Sequence, residues 1–311
     1  MRAVVFAYHN VGVRCLSVLL AHNVNVPLVV THDDDPHENV WFESVATLAQ
    51  RHDLPLVKPA DPSARELAQQ IAAIQPDFLF SFYYRKMLPP GLLDAPVLGA
   101  LNMHGSLLPR YRGRAPVNWA VINGERETGA TLHYMVTKPD AGDIVGQQAV
   151  PILPNDTALD VFGKVTVAAE LLLDRLLPDL LAGSAPRRSQ DLARGSYFSA
   201  RSPEDGRIDW SRTAADVHNL VRAIAPPYPG AHCLVGAKHV RILRTLIPHE
   251  APPKFGFPAL FCDAGRCYAE CGDGRALRIL SLEVDGTILD EPAFERVRAT
   301  PPVLLPARAS A

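Results

Sequence analysis

Within Leu101–Pro116 (LNMHGSLLPRYRGRAP) the chain places a carboxamide (Asn102), an imidazole (His104), a hydroxyl (Ser106) and three guanidiniums (Arg110, Arg112, Arg114). A carboxylate, Asp140, lies in a second polar stretch, KPDAGD. An imidazole takes up and returns a proton near neutral pH, and a carboxylate beside it orients the ring and favours its charged form. A carboxamide N–H can donate to a developing oxyanion. Base, orienting carboxylate and oxyanion donor, with no evident side-chain nucleophile, suit acyl transfer by direct attack of a substrate. Each residue also has an ordinary reading. A histidine can be a surface or satisfied core group, an Asp before Ala-Gly forms turns, and Asn102 can cap a strand end. The conjunction points to chemistry.

Asn102 and His104 stand two apart at the end of an apolar run, so an extended strand carries both on one side. A strand that ends in Asn-x-His and opens into a rigid, basic loop presents reactive side chains at the carboxyl edge of a sheet. Arg2–Ala7, Val26–Thr31, Phe78–Tyr84, Val97–Met103, Thr128–Val136 and Ile144–Ile152 read as strands. Val11–His22, Glu43–Arg51, Ala64–Ile74, Val117–Asn123 and Thr157–Leu177 read as helices. This alternation predicts an α/β, Rossmann-like domain with a mostly parallel sheet covered on both faces. If the strands near 100 and 130 are neighbours, the loops after them meet at one edge and bring Asp140 to His104. The first β-turn-α, AYHNVGVR, has no G-x-G-x-x-G, which argues against a dinucleotide cofactor.

After Leu181 the texture changes. Ala182–Arg201 has the Gly, Ser, Pro and Arg content of a linker. Beyond Ile208 come a helix, Ala214–Ala225, and short strand-like pieces: His232–Leu234, Val240–Leu246, Ala259–Phe261, Cys267–Glu270, Leu277–Val284 and one near Gly286–Ile288. These predict a small barrel or sandwich. The expected division is a catalytic domain over 1–188, a linker over 189–205, a β domain over 206–300 and a disordered tail over 301–311.

A chain of 311 residues, 48% hydrophobic, can bury a sizeable core in two domains. A net charge of −2 gives no global pull toward nucleic acid or anionic membrane. The N-terminal apolar run breaks at His9, short of a secretory h-region, and no run approaches the length of a spanning helix. The expectation is a soluble cytoplasmic chain with no membrane insertion. Five cysteines (Cys15, Cys233, Cys262, Cys267, Cys271) are an odd count, and C-x4-C-x3-C matches no zinc pattern. Free thiols and no metal are expected.

Asn102–Gly113, NMHGSLLPRYRG, resembles the signature of the N10-formyltetrahydrofolate-dependent formyltransferases, which act on methionyl-tRNA, glycinamide ribonucleotide and nucleotide sugars. Asp140, in PDAGDIV, is similar to the second signature of that family. FAYHNVG, FSFYYRK, RGRAPVNWAVINGERETGATLH and VHNLVRAIAPPYPGA extend the resemblance over residues 1–300, toward the branch that formylates UDP-4-amino-4-deoxy-L-arabinose. The resemblance implies that His104 accepts and returns a proton, Asn102 stabilises the tetrahedral intermediate and Asp140 supports the charged ring. The formyl donor would be N10-formyltetrahydrofolate. Its pterin would lie against the backbone of Lys86, Met87 and Leu88 and the loop Val136, Thr137, Lys138, Pro139 and Asp140, with Arg114 also touching it. The side chains at 86–88 depart from that branch, a change that backbone contacts tolerate. The second domain would be an OB-like barrel starting at Gly206–Trp210. The length leaves no room for the dehydrogenase half that accompanies this branch, so a stand-alone formyltransferase is expected.

The acceptor follows from charge. A tRNA enzyme needs a basic surface, yet no Lys or Arg occurs between Arg14 and Arg51, where Asp33, Asp34, Asp35, Glu38 and Glu43 stand. A nucleotide sugar needs only a few cations. Arg201 is the candidate for its diphosphate and Tyr228 for a wall of the acceptor cleft. Alternatives are methionyl-tRNA and other dTDP- or UDP-amino sugars. The arabinose branch implies a role in lipid A modification and polymyxin resistance. Whether the chain forms a homo-oligomer is left open.

Overall fold

The computed structural model of the chain describes residues 1–36, 38–250, 254–294 and 302–306. It divides into two compact units, one of Met1–Pro116, Glu127–Pro151 and Phe162–Ser199, the other of Val117–Arg126, Ile152–Val161 and Ala200–Ala311.

The first unit is built on β1 (Arg2–Ala7), β2 (Asn25–Val30), β3 (Leu56–Val57), β4 (Phe78–Phe82), β5 (Gly99–His104), β6 (Arg112–Gly113), β7 (Glu127–Tyr134), β8 (Ile144–Pro151) and β9 (Tyr197–Phe198). The main sheet runs β3-β2-β1-β4-β5-β7-β8, while β6 and β9 form a small separate pair. The first five strands are parallel; β7 and β8 are antiparallel to their neighbours. Its helices are α1 (His9–Ala21), α2 (Val45–Arg51), α3 (Arg65–Ile74), α4 (Pro90–Leu93) and most of α6 (Ala158–Leu181), whose first four residues fall in the second unit, as does α5 (Pro116–Ile122) after Pro116. The continuous apolar runs of β1 and β4 arise because helices cover both faces of the sheet. Leu67 and Ile71, one turn apart on α3, pack on Val4, Phe6, Leu28 and Leu79. Each such side chain stabilises the fold by about 1.5–3 kcal/mol through burial.

Helix α6 continues past Leu177 through Pro178. A proline removes one intrahelical donor, and the helix stops instead at Gly183, whose φ of 71° favours glycine.

The second unit contains α7 (Ala214–Ala223), β10 (Ala231–Val235), β11 (Lys238–Leu246), β12 (Ala259–Asp263), β13 (Arg266–Glu270), β14 (Ala276–Val284), β15 (Thr287–Asp290), α8 (Glu291–Phe294) and β16 (Val303–Leu304). Its sheet is an antiparallel half-barrel in the order β10-β11-β14-β13-β12-β16, with β15 also on β14.

Two expectations change here. Cys262 and Cys267 are joined in a disulfide rather than free. The two-residue turn Ala264–Gly265, both at positive φ, sets them directly opposite across the β12–β13 hairpin. Cys15, Cys233 and Cys271 are free and buried. In the expected disordered tail, Val303–Leu304 pair with Leu260 and Ala259, because the open edge of β12 offers unpaired backbone groups. Residues 295–301 and 307–311, the end of the expected β domain and the rest of the tail, lie outside the described residues. Among the described residues, no helix is long and apolar enough to cross a membrane.

Candidate active site

Strands β5 and β7 set the site. Their register pairs Asn102 with His133 and His104 with Thr131. Strand alternation therefore turns these four side chains to one face, while Leu101, Met103 and Leu132 are at most 1% exposed on the other. The loops after these strands do not meet at one edge, because β7 runs antiparallel to β5. The 135–143 segment instead leaves beside Ala100, whose carbonyl accepts from Met135 N (2.7 Å). It then doubles back toward the polar face. Gln190 holds it there, donating from Nε2 to the carbonyls of Asp140 (3.0 Å) and Gly142 (2.6 Å).

The result is that Asp140 reaches the face anyway. Its Oδ1 lies 3.6 Å from His104 Nδ1 and 3.5 Å from His133 Nε2, and its Oδ2 accepts from Gly113 N (2.9 Å). Burial alone pushes the Asp140 carboxyl up. The field of His104, the contact with His133 and the Gly113 N–H together hold it well below the usual carboxylate range. The carboxylate is therefore ionised beside two imidazoles.

Ring partners fix the tautomers. His104 Nε2 donates to the Tyr111 carbonyl (2.8 Å), leaving Nδ1 toward Asp140. His133 Nδ1 donates to the Tyr134 carbonyl (2.8 Å), so in the neutral ring Nε2 accepts from Asn102 Nδ2 (3.2 Å). An amide nitrogen has two N–H groups, and this bond leaves the other one available to a ligand.

The loop after β5 is folded down by specific bonds. Thr131 Oγ1 donates to the Ser106 carbonyl (2.6 Å) and accepts from Leu108 N (3.2 Å) and Gln147 Nε2 (3.0 Å). Ser106 Oγ donates to the Arg110 carbonyl (2.7 Å). Gly105 is required because a Cβ there would stand 2.1 Å from Tyr83 Oη. Gly113, at φ 96°, is required because a Cβ would stand 2.0 Å from the Phe198 carbonyl oxygen.

Asn102, His104 and Asp140 are thus brought together. Of the other expected contacts, Arg114 is exposed and its Nη2 reaches the Arg85 carbonyl (3.4 Å), joining it to the segment that holds Lys86, Met87 and Leu88. Lys86 Nζ donates to the Ala60 carbonyl, Met87 is exposed and Leu88 is buried in the core. Val136, Thr137 and Lys138 are exposed, and Pro139 is half-buried. Arg201 and Tyr228 belong to the second unit. Burial lowers the Arg201 guanidinium against the pull of Asp205 and Tyr228. Burial pushes the Tyr228 phenol up to about 12, opposed by Asn118 and Arg201.

His133, Thr131, Gln147 and Gln190 were not anticipated. His133 could have been found from the two-residue period it shares with Thr131 in TLHYM. Among the described residues, no group of three or more His, Cys, Asp or Glu could hold a metal ion.

Residues 8–176 match the Formyl transferase family model, and residues 201–293 match Formyl transferase, C-terminal domain. Similar solved structures include an N-formyltransferase from Helicobacter canadensis in complex with folinic acid and dTDP-3-aminofucose (21% identity, 89% of this chain and 98% of that one, TM-score 0.72). Another is WlaRD, a sugar 3N-formyl transferase studied with dTDP and 5-N-formyl-THF (20% identity, 90% and 97%, TM-score 0.71). A third is a 4-N formyltransferase from Francisella tularensis (22% identity, 74% and 91%, TM-score 0.61).

Proposed function

The chain belongs to the formyltransferase family, and from that premise we propose that it moves a formyl group from N10-formyltetrahydrofolate to the 4-amino group of a nucleotide-linked amino sugar, UDP-4-amino-4-deoxy-L-arabinose. The observation that carries this reading is the cluster of Asn102, His104 and ionised Asp140 on one sheet face. The residues present fit the folate. Met87 and Val136 expose apolar side chains at 61% and 46% on the two segments assigned to it, and Arg114 is exposed beside the first of them. Lys86, Met87, Leu88, Arg114 and Val136–Asp140 would hold it, and when bound it supplies the activated formyl carbon.

The acceptor amine must lose a proton as it attacks. His104 takes that proton at Nδ1, the nitrogen left without one while Nε2 donates to the Tyr111 carbonyl, and Asp140, 3.6 Å from Nδ1, stabilises the charge the ring acquires. The Asn102 N–H not engaged by His133 donates to the formyl oxygen as negative charge gathers there. His104 then returns the proton to the departing nitrogen. Arg201 would bind the acceptor diphosphate and Tyr228 would line its site. Support for a sugar rather than tRNA comes from the acidic 33–43 segment, where Lys and Arg are absent, and from the sugar N-formyltransferases among the similar structures. The arabinose acceptor would place the reaction in lipid A modification, and so in polymyxin resistance.

Two measurements test the proposal. His104→Ala is expected to cut turnover by about two to four orders of magnitude with the fold retained, and near-normal formylation by the variant would refute the assignment. Parallel assays with one formyl donor and UDP-4-amino-4-deoxy-L-arabinose, dTDP-4-amino sugars and methionyl-tRNA should favour the first. Preference for tRNA would overturn the sugar reading.

A further inference from the structure

A cavity of about 120 Å³ in the second unit lies among residues that the formyl-transfer reading does not use. Its polar lining is Asn155, Thr157, His218, Arg222, Arg244 and Thr245, and no carboxylate side chain lines it. Arg222, on α7, is 7% exposed. Its Nε donates to Asn219 Oδ1 (2.9 Å) and its Nη1 to the carbonyls of Leu153 (3.3 Å) and Asp156 (2.9 Å). Its Nη2 makes no hydrogen bond among the described residues. The acid whose field reaches this guanidinium is Asp156, and its Oδ2 is engaged by Leu153 N (2.7 Å). Arg244, on β11, is exposed and forms no side-chain hydrogen bond or ion pair among the described residues.

The side chains of His218, Thr245 and Thr157 are already bonded. His218 Nε2 donates to the Pro154 carbonyl (3.1 Å), and its Nδ1 accepts from Thr245 Oγ1 (2.9 Å). Thr157 and Asp160 cap α6 reciprocally, Thr157 Oγ1 donating to Asp160 Oδ2 (2.7 Å) while Asp160 N donates back to Thr157 Oγ1 (3.2 Å). The free donors are therefore those of the two guanidiniums and of the Asn155 amide, whose side chain makes no hydrogen bond among the described residues. A buried cation solvated mostly by neutral acceptors is costly until it is paired, and two cations lining one cavity favour an anion there. Size narrows the choice. At ~30 Å³ per water the cavity holds the equivalent of about four waters, enough for one phosphate-sized group and far below the ~300 Å³ of a site for a drug-sized ligand.

We propose that this cavity binds a phosphate-sized oxyanion, held by Arg222 Nη2 and the Arg244 fork, and supplied either as inorganic phosphate or as the phosphate of a small monoester. The site is independent of the formyl-transfer reading and of the diphosphate role given to Arg201. It is tested by calorimetric titration of the full chain with inorganic phosphate and, separately, with glycerol 3-phosphate at constant ionic strength. Wild type, Arg244→Gln and Arg201→Gln are compared. Arg244 is exposed and unbonded, so its substitution leaves the fold intact. One saturable site is expected in wild type and in Arg201→Gln, and it should weaken by at least roughly tenfold in Arg244→Gln. Tighter binding of the free anion supports inorganic phosphate as the ligand, and tighter binding of the ester supports a phosphomonoester. No saturable binding of either, binding unmoved by Arg244→Gln, or binding lost in Arg201→Gln overturns the proposal.

Discussion

Asp140 holds its charge at φ 50°, a left-handed backbone that asparagine tolerates as readily as aspartate. Asp140→Asn therefore removes the charge and keeps the loop. In steady-state assays kcat is expected to fall by about 10²- to 10⁴-fold with KM changed far less; an unchanged kcat would take Asp140 out of the mechanism. The same carboxyl titrates lower in the folded chain than its ordinary 3.8. Its stabilising contribution is complete above that value and is lost as the pH falls below it. The stability gap between wild type and Asp140→Asn in urea should accordingly narrow as pH drops from about 6 toward about 3. His133→Ala leaves the Asn102 amide without its partner. A kcat loss of roughly tenfold with KM preserved is expected if His133 orients that amide, whereas a merely structural role would lower stability and spare kcat. Asn102, His104 and Asp140 stand out in the sequence because polar groups interrupt apolar runs or fill a turn. His133 does not, since a histidine between Leu132 and Tyr134 reads equally well as a core residue until the register with Asn102 is known.

The elements that carry these residues meet at close quarters, and Gly105 marks the tightest point. Gly105→Ala is expected to destabilise the protein by roughly 1–3 kcal/mol through overpacking. Tyr83→Phe in the same chain removes the 2.1 Å contact and leaves the ring carbon at 3.2 Å. A double-mutant cycle in urea should therefore show strong favourable coupling, and strict additivity would exclude the clash as the cause. Strand positions were legible from apolar runs, and parallel pairing from the helices between them. The direction of β7 was not. The residues between His104 and Glu127 include a helical segment, so their length suits a parallel crossover as well as an antiparallel return. The hairpin that pairs Cys262 with Cys267 was equally hidden, because C-x4-C does not reveal that only Ala264 and Gly265 form the turn.

At the scale of the molecule, acid is the expected weakness. Burial pushes His9 down to about 3 and His32 to about 4, and it lowers His218 as well. Each is neutral when folded and gains a proton on unfolding once the pH is below its ordinary 6.5. With folded values depressed, the stability they supply is complete above 6.5 and is lost as pH falls toward 4 and then 3. The urea midpoint should drop between about pH 7.5 and about pH 5; a flat profile across that window would contradict neutral burial of these rings. The change from long α/β periods to short strands after Leu181 was legible. The membership of Val117–Arg126 and Ile152–Val161 in the second unit was not, since neither differs in composition from its surroundings. That membership has a consequence for inheritance. The chain passes from one unit to the other after Pro116, Arg126, Pro151, Val161 and Ser199. No single cut separates them, so neither can be traded for a foreign counterpart by a simple fusion at one junction.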